Sequence, residues 1–172
     1  MLRRGTRKGL DMGIQLNELA RSAFAVAKGA IEDGKQAMPT FLAVLPDNEL
    51  AIILAPWDSD ESKAGTFQAL RAMFAEKNVK AYAFVSECWV TKWDKPEEWD
   101  GTAPSEDPRR IDTLMVDAHT RDGEQVSLIA EIETLPSGKR AVIQEPESRV
   151  LEKASGRGAN LLMPEGAQGL RH

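Results

Sequence analysis

The sequence predicts an α+β fold: a single domain in which helices pack on a mainly antiparallel sheet. Three observations carry that expectation. Two segments repeat apolar residues at three- and four-residue steps, as helices that cover a sheet do. Six shorter segments, bounded by Pro, Gly, Asn and Asp, read as strands. The last three strands are joined by short polar turns, as in an antiparallel meander.

The bulk properties agree with that class. A length of 172 residues fits one domain, and 42% hydrophobic with 28% charged residues is an ordinary globular balance. A core of this size needs no staples. The single cysteine, Cys88, forbids an intrachain disulfide and fits a reducing compartment, so a cytoplasmic protein is expected. The N-terminal run MLRRGTRKGLDMG is basic but is followed by no apolar signal core. The longest apolar run, 50–56, is too short to cross a bilayer, and no membrane partner is expected. The net charge of −5 argues against nucleic acid, because duplex binders present a basic footprint to the phosphates. The one basic cluster, Arg3, Arg4, Arg7 and Lys8, lies ahead of any periodic pattern and reads as a flexible N-terminus over residues 1–12. Met12 directly precedes the helical pattern and offers a second start.

The elements follow in order. Leu16, Leu19, Ala20, Ala23, Ala27, Ala30 and Ile31 form one stripe of a helix over 14–32, with Gly34 placed to cap its end. Strands over 40–45 and 50–55 flank the turn Pro46-Asp47-Asn48-Glu49. Both are apolar at nearly every position, which places them centrally, with both faces buried. Asp58-Ser59-Asp60-Glu61 opens a second helix by a polar cap followed by acids. Its stripe is Phe67, Leu70, Met73 and Phe74, and Asn78 ends it. A long strand over 79–93 starts apolar on both faces and turns polar and aromatic. The stretch 94–110, with Pro96, Pro104 and Pro108, is long enough without pattern to be either functional or disordered.

Strands over 111–120, 125–134 and 139–144 make the meander. A two-residue Asp122-Gly123 loop would set Leu128 against Asp117 and mix the faces. A three-residue loop, Arg121-Asp122-Gly123 with Gly123 left-handed, pairs Ala118 with Val126, Val116 with Leu128 and Leu114 with Ala130. One face is then apolar throughout, so the three-residue loop is expected. The domain spans 13–145. Residues 146–172 are Gly-rich and polar except at Val150-Leu151 and Leu161-Leu162-Met163, and read as a tail, mobile or docked at one of those spots, that adds little to stability.

Chemistry is sparse. Cys88 and His119 are a nucleophile–base pair in kind, with Asp117 on the same strand face as His119 to orient it. A mid-strand cysteine is usually buried and inert, however, and no Gly-rich nucleophile turn precedes it. One cysteine and one histidine within the domain cannot complete a zinc site, and no cofactor is expected. Glu131 and Glu133 point together, as acid–base pairs or hard-cation ligands must, but a solvated sheet face places carboxylates there too. Glu87 shares its face with Ala83, Val85, Trp89 and Trp93. A carboxylate among apolar groups needs a counter-charge, and Arg109 or Arg110, entering the next strand, is the expected partner. Trp89, Trp93 and Trp99 are three of the four tryptophans and are surrounded by acids, which suits a protein or small-ligand surface more than a nucleic acid strand. Gly156-Arg157-Gly158 follows no strand and is no nucleotide loop.

Val85-Ser86-Glu87-Cys88-Trp89, then Ala103-Pro104-Ser105-Glu106-Asp107-Pro108-Arg109-Arg110 and a meander, resemble a family of uncharacterised bacterial and phage proteins over roughly residues 14–145. Cys88 stands where that pattern has a small residue, which weakens a catalytic cysteine. The element order is similar to that of profilin-like and roadblock-type domains, which are mostly binding and dimerisation modules. The likeness is one of fold and implies no activity.

The expected function is therefore a non-enzymatic binding or assembly domain that uses Glu87, Trp89, Trp93, Trp99 and Arg110 with the acidic 94–110 loop. The alternative is a small hydrolase-like enzyme using Cys88, His119 and Asp117 or the Glu131/Glu133 pair. A protein partner is expected, a homodimer above all: Ile111, Met115 and Ile129 lie on the meander face away from its core row, where they would be covered by a second copy or by the first helix.

Overall fold

The structure is a computed structural model that describes residues 12–92, 94–149 and 161–162. Trp93, the basic N-terminal cluster, Val150-Leu151, Gly156-Arg157-Gly158 and Met163 lie outside the described residues.

Helix α1 (Met12–Glu32) buries Leu16, Leu19, Ala20, Ala23, Phe24, Ala27 and Ile31 along one stripe. Gly34 ends it at φ 79°, where the backbone N–H of Lys35 turns back to the carbonyl of Ala30 at 2.9 Å. Only a residue without a Cβ takes that left-handed turn at no steric cost. Strands β1 (Thr40–Val44) and β2 (Leu50–Leu54) form a hairpin. Helix α2 (Asp60–Glu76) starts at Ser59, whose hydroxyl accepts from the N–H of Ser62 while the Ser62 hydroxyl accepts from the N–H of Ser59, both at 3.1 Å. This reciprocal cap satisfies two donors that the first turn leaves open. Then follow β3 (Ala81–Val90), a short 3₁₀ turn at Pro96–Glu98, β4 (Ile111–Thr120), β5 (Gln125–Thr134), β6 (Arg140–Val142) and β7 (Glu147–Arg149).

The strands form one antiparallel sheet in the order β2-β1-β3-β4-β5-β6, with β7 also paired to β5. The α+β class is as the periodicities predict. The β4–β5 register matches too: Ala118 faces Val126, Val116 faces Leu128 and Leu114 faces Ala130, around a loop whose Gly123 has φ 93°.

Alternation divides the core in two. Leu42, Ala83, Val85, Leu114, Val116, Ala118, Leu128 and Ala130 face α1. Phe41, Ala43 and Tyr82 face α2, against Leu70 and Phe74. The two helices thus cover opposite faces. The alternative placing of α1 over Met115 and Ile129 is excluded, because those two residues lie on the α2 side.

Two strands depart from the sequence-based reading: β7 pairs with β5 from residues expected in the tail, and β2 is not interior. β1 is central and buried on both faces, but β2 is an edge, and Leu50, Ile52 and Leu54 are exposed, Ile52 at 70%. The cause is width. Six strands at about 4.8 Å span more than one helix of about 10 Å can cover. α1 lies over β3 to β6 and leaves the β2 ledge open.

Candidate functional site

The α2 face is likewise only partly covered. α2 packs over β1 and β3 but not over β4 and β5, so a trough runs along the sheet beside it. Its larger part has a volume of about 840 Å³, and its walls include Phe41, Phe67, Tyr82, Phe84 and Met115. A smaller pocket of about 380 Å³ continues it past Lys63, Phe84 and Met115, which line both, to Ser86 and Cys88. The aromatic wall is continuous. Phe41 stacks on Phe84 with centroids 4.6 Å apart, Phe67 meets Phe84 edge-on at 5.9 Å, and Trp57 closes the row 5.7 Å from Phe67. The Lys63 ammonium lies 5.2 Å from the centroid of the Trp57 ring, a cation–π contact.

Polar groups gather at the other end. The Tyr82 hydroxyl accepts from the backbone N–H of Leu161 at 3.1 Å, and burial raises the tyrosine pKa, which keeps it a hydroxyl. His119 stacks on Tyr82 at 5.2 Å between centroids. Burial lowers its pKa, and the Asp117 charge opposes that shift only in part. Asp117 accepts a hydrogen bond from the Ser127 hydroxyl across β4 and β5.

The His119 shift has a consequence for stability. Its folded pKa lies below the unfolded one, so the unfolded chain takes the proton first. The stability present above about pH 6.5 is lost as pH falls toward the folded value. Urea unfolding at pH 7.5 and 5.5 is expected to show a smaller acid loss in His119→Phe than in the parent. Equal losses would mean that the ring is solvated.

Gly65 lines the trough from α2, and a Cβ there would meet nothing within 4 Å. Gly65→Ala is expected to stabilise the protein by about 0.5–1 kcal/mol, because helical backbone entropy is saved without a clash. Calorimetry should show a rise of roughly 1–4 °C. An unchanged or lower midpoint would contradict the open space.

The trough's wall from α2 and its Leu161 lining were not legible in the sequence. One signal was present: a glycine inside a helical pattern, which costs stability and asks for a reason.

Cys88 pairs opposite Thr113 while His119 pairs opposite Tyr82, six strand positions away. That separation is about 20 Å, far outside proton-transfer reach. The Cys88 thiol is pushed up to about 11 by burial and then by the charge of Asp117. Iodoacetamide at pH 8 should therefore alkylate it about a hundredfold more slowly than an ordinary thiol. A rate near that of a free thiol would show an accessible thiolate. Glu131 pairs with Lys92, and Glu133 is exposed. Among the described residues, no group of three or more His, Cys, Asp or Glu could hold a metal ion, and no helix is long and apolar enough to cross a membrane.

Glu87 is ion-paired, but not with Arg109 or Arg110. Its carboxylate takes Arg140 from β6, at 2.6 Å and 3.3 Å, and the backbone N–H of Ala37 at 2.7 Å. The two expected arginines are engaged locally. Arg109 grips the buried Asp107 through Nε and Nη2, at 3.0 Å and 2.9 Å, and its own N–H reaches the same carboxylate at 2.8 Å. Those contacts hold the Asp107 carboxyl below its usual range and organise the 94–110 loop. Arg110 lies 4.7 Å over the Trp89 ring and donates to the Ser105 carbonyl at 2.6 Å. Trp89 and Trp99 are both exposed, and the Trp99 indole N–H donates to the Thr102 carbonyl. Trp89 and Arg110 are thus brought together, while Glu87 is taken up by the packing of the α1–β1 loop against β6.

No family model, no curated protein and no solved structure matches this chain.

Proposed function

We propose that this chain is a non-enzymatic binding domain whose working surface is the trough between α2 and the β3–β4 face, and that its ligand is a small molecule with an apolar, partly aromatic body. The observation that carries this reading is the continuous wall of Phe41, Phe67, Phe84, Tyr82 and Met115 around about 840 Å³. Ligand pockets are commonly of that size, apolar, and furnished with a few polar groups that orient the guest. Tyr82, His119 and Asp117 supply such groups at one end, and Asp60, Glu61, Lys63, Gln68 and Arg71 line the trough from α2. Met115 suits the role because an unbranched thioether adapts to guests of different shape. The single cysteine supports a cytoplasmic setting.

The test is a fluorescence titration with N-phenyl-1-naphthylamine, a neutral aromatic probe. Saturable one-to-one binding is expected, weakened about tenfold or more in Gly65→Phe, which places a ring at the trough wall. An absence of saturable binding, or binding indifferent to Gly65→Phe, would sink the reading.

The exposed Trp89–Arg110 stack supports a second reading, a protein-contact surface at the end of β3. Tryptophan and arginine are the side chains that most often anchor interfaces. A homodimer through this surface would be dispersed by Trp89→Ala in light scattering at micromolar concentration. A parent protein that is monomeric throughout would remove the dimer.

A further inference from the structure

Leu161 packs against residues far from it in sequence. β7 ends at Arg149 on the outer edge of β5, yet Leu161 is 3% exposed beside Tyr82, under the α2 face. Two contacts hold it there. Its side chain belongs to the aromatic core cluster of that face, and its backbone N–H donates to the Tyr82 hydroxyl. Leu162 packs half-buried against the same cluster. Leu161 does not fill the trough. With it in place about 840 Å³ stays open, and Leu161 is one of the lining residues, next to Tyr82 and His119.

A plug would occupy the cavity, whereas a residue that lines an open cavity supplies contact area to whatever enters. From this we infer that the C-terminal segment at Leu161–Leu162 is the closing wall of the trough, a strap that supplies ligand contacts and is held down by the ligand in return. The inference rests on the trough being the binding site. Because both the ligand and the strap pack on the Tyr82 end, each presents apolar surface to the other. Coupling between two sites is reciprocal: if the docked strap tightens ligand binding by some factor, the ligand tightens docking by the same factor.

The full-length protein allows both directions to be measured. N-Phenyl-1-naphthylamine affinity is compared in the parent, in Leu161→Asp, and in Tyr82→Phe, which keeps the ring and removes the acceptor of the Leu161 N–H. Hydrogen exchange at the Leu161 amide, whose N–H donates to the Tyr82 hydroxyl, is then timed with and without the probe. Leu161→Asp should weaken the probe about fivefold or more, Tyr82→Phe less, and in the parent the probe should slow that exchange by a similar factor. Near-UV circular dichroism identifies a variant that has lost its fold, in which case Tyr82→Phe decides. Tighter binding in the variants with faster exchange in the presence of the probe would make the segment a competitor and overturn the strap. Unchanged affinity and exchange overturn it as well. Failure of the trough itself looks different: the parent binds no probe, or binds it indifferently to Gly65→Phe.

Discussion

Glu87→Ala is expected to cost about 2–3 kcal/mol and to lower the melting temperature by roughly 5–10 °C. The carboxylate is the shared acceptor for the Arg140 guanidinium and the Ala37 N–H, so its removal leaves two donors short of a partner in a partly buried place. It also unties the α1–β1 loop from Arg140 of β6, which this carboxylate bridges. Arg140→Gln should lose less, because a neutral donor can still reach the carboxylate. Arg110→Gln should stay within about 0.5 kcal/mol, since the residue lies exposed over Trp89. Thermal melts of the three variants decide the matter. A cost below about 1 kcal/mol for Glu87→Ala, or an Arg110→Gln cost that equals it, would contradict the pairing described above.

Phe41→Ala should be more damaging still, at about 3–5 kcal/mol. Phe41 is fully buried and touches four rings: Phe67, Phe74, Tyr82 and Phe84. The cavity left behind cannot collapse easily, because β1 is held on both sides by β2 and β3. The same ring backs Phe67 and Phe84 in the trough wall, so probe binding should weaken together with stability. Phe67→Ala, half-buried on α2, is the comparison, with a smaller loss of stability and a similar loss of binding. Urea midpoints and probe titrations on both variants separate the two roles. A Phe41→Ala cost under about 1.5 kcal/mol would mean that the ring cluster repacks freely and gives the trough no fixed shape.

Much of the fold is legible in local sequence. The α1 stripe, the cap at Ser59, the stop at Asn78 and the turn at Gly123 depend on residues within a few positions of one another. The β4–β5 register belongs with them, because a short loop and the demand for one apolar face leave a single solution. These are short-range matters, and periodicity and turn chemistry state them directly.

What the tertiary structure alone decided involves distance along the chain or competition for cover. Glu87 was legible as a carboxylate that needs a cation, but the cation came from 53 residues away, over two intervening strands, because two nearer arginines had local carboxylate, carbonyl and ring partners. The apolar run of β2 reads as interior. It is an edge with one face open, because no strand pairs beyond it and one helix is too narrow to cover six strands, and nothing in LAIIL records which strands the helix chooses. The trough exists for the same reason on the other face, where α2 stops short of β4 and β5. Leu161 reads as part of one of two apolar spots at which a polar tail could dock; the choice of Leu161 and its place in the wall follow from Tyr82, 79 residues earlier, which offers it an acceptor and a place to pack. A sequence states which groups require burial or a partner. Which of several candidates meets the requirement is settled by the relative position of whole elements.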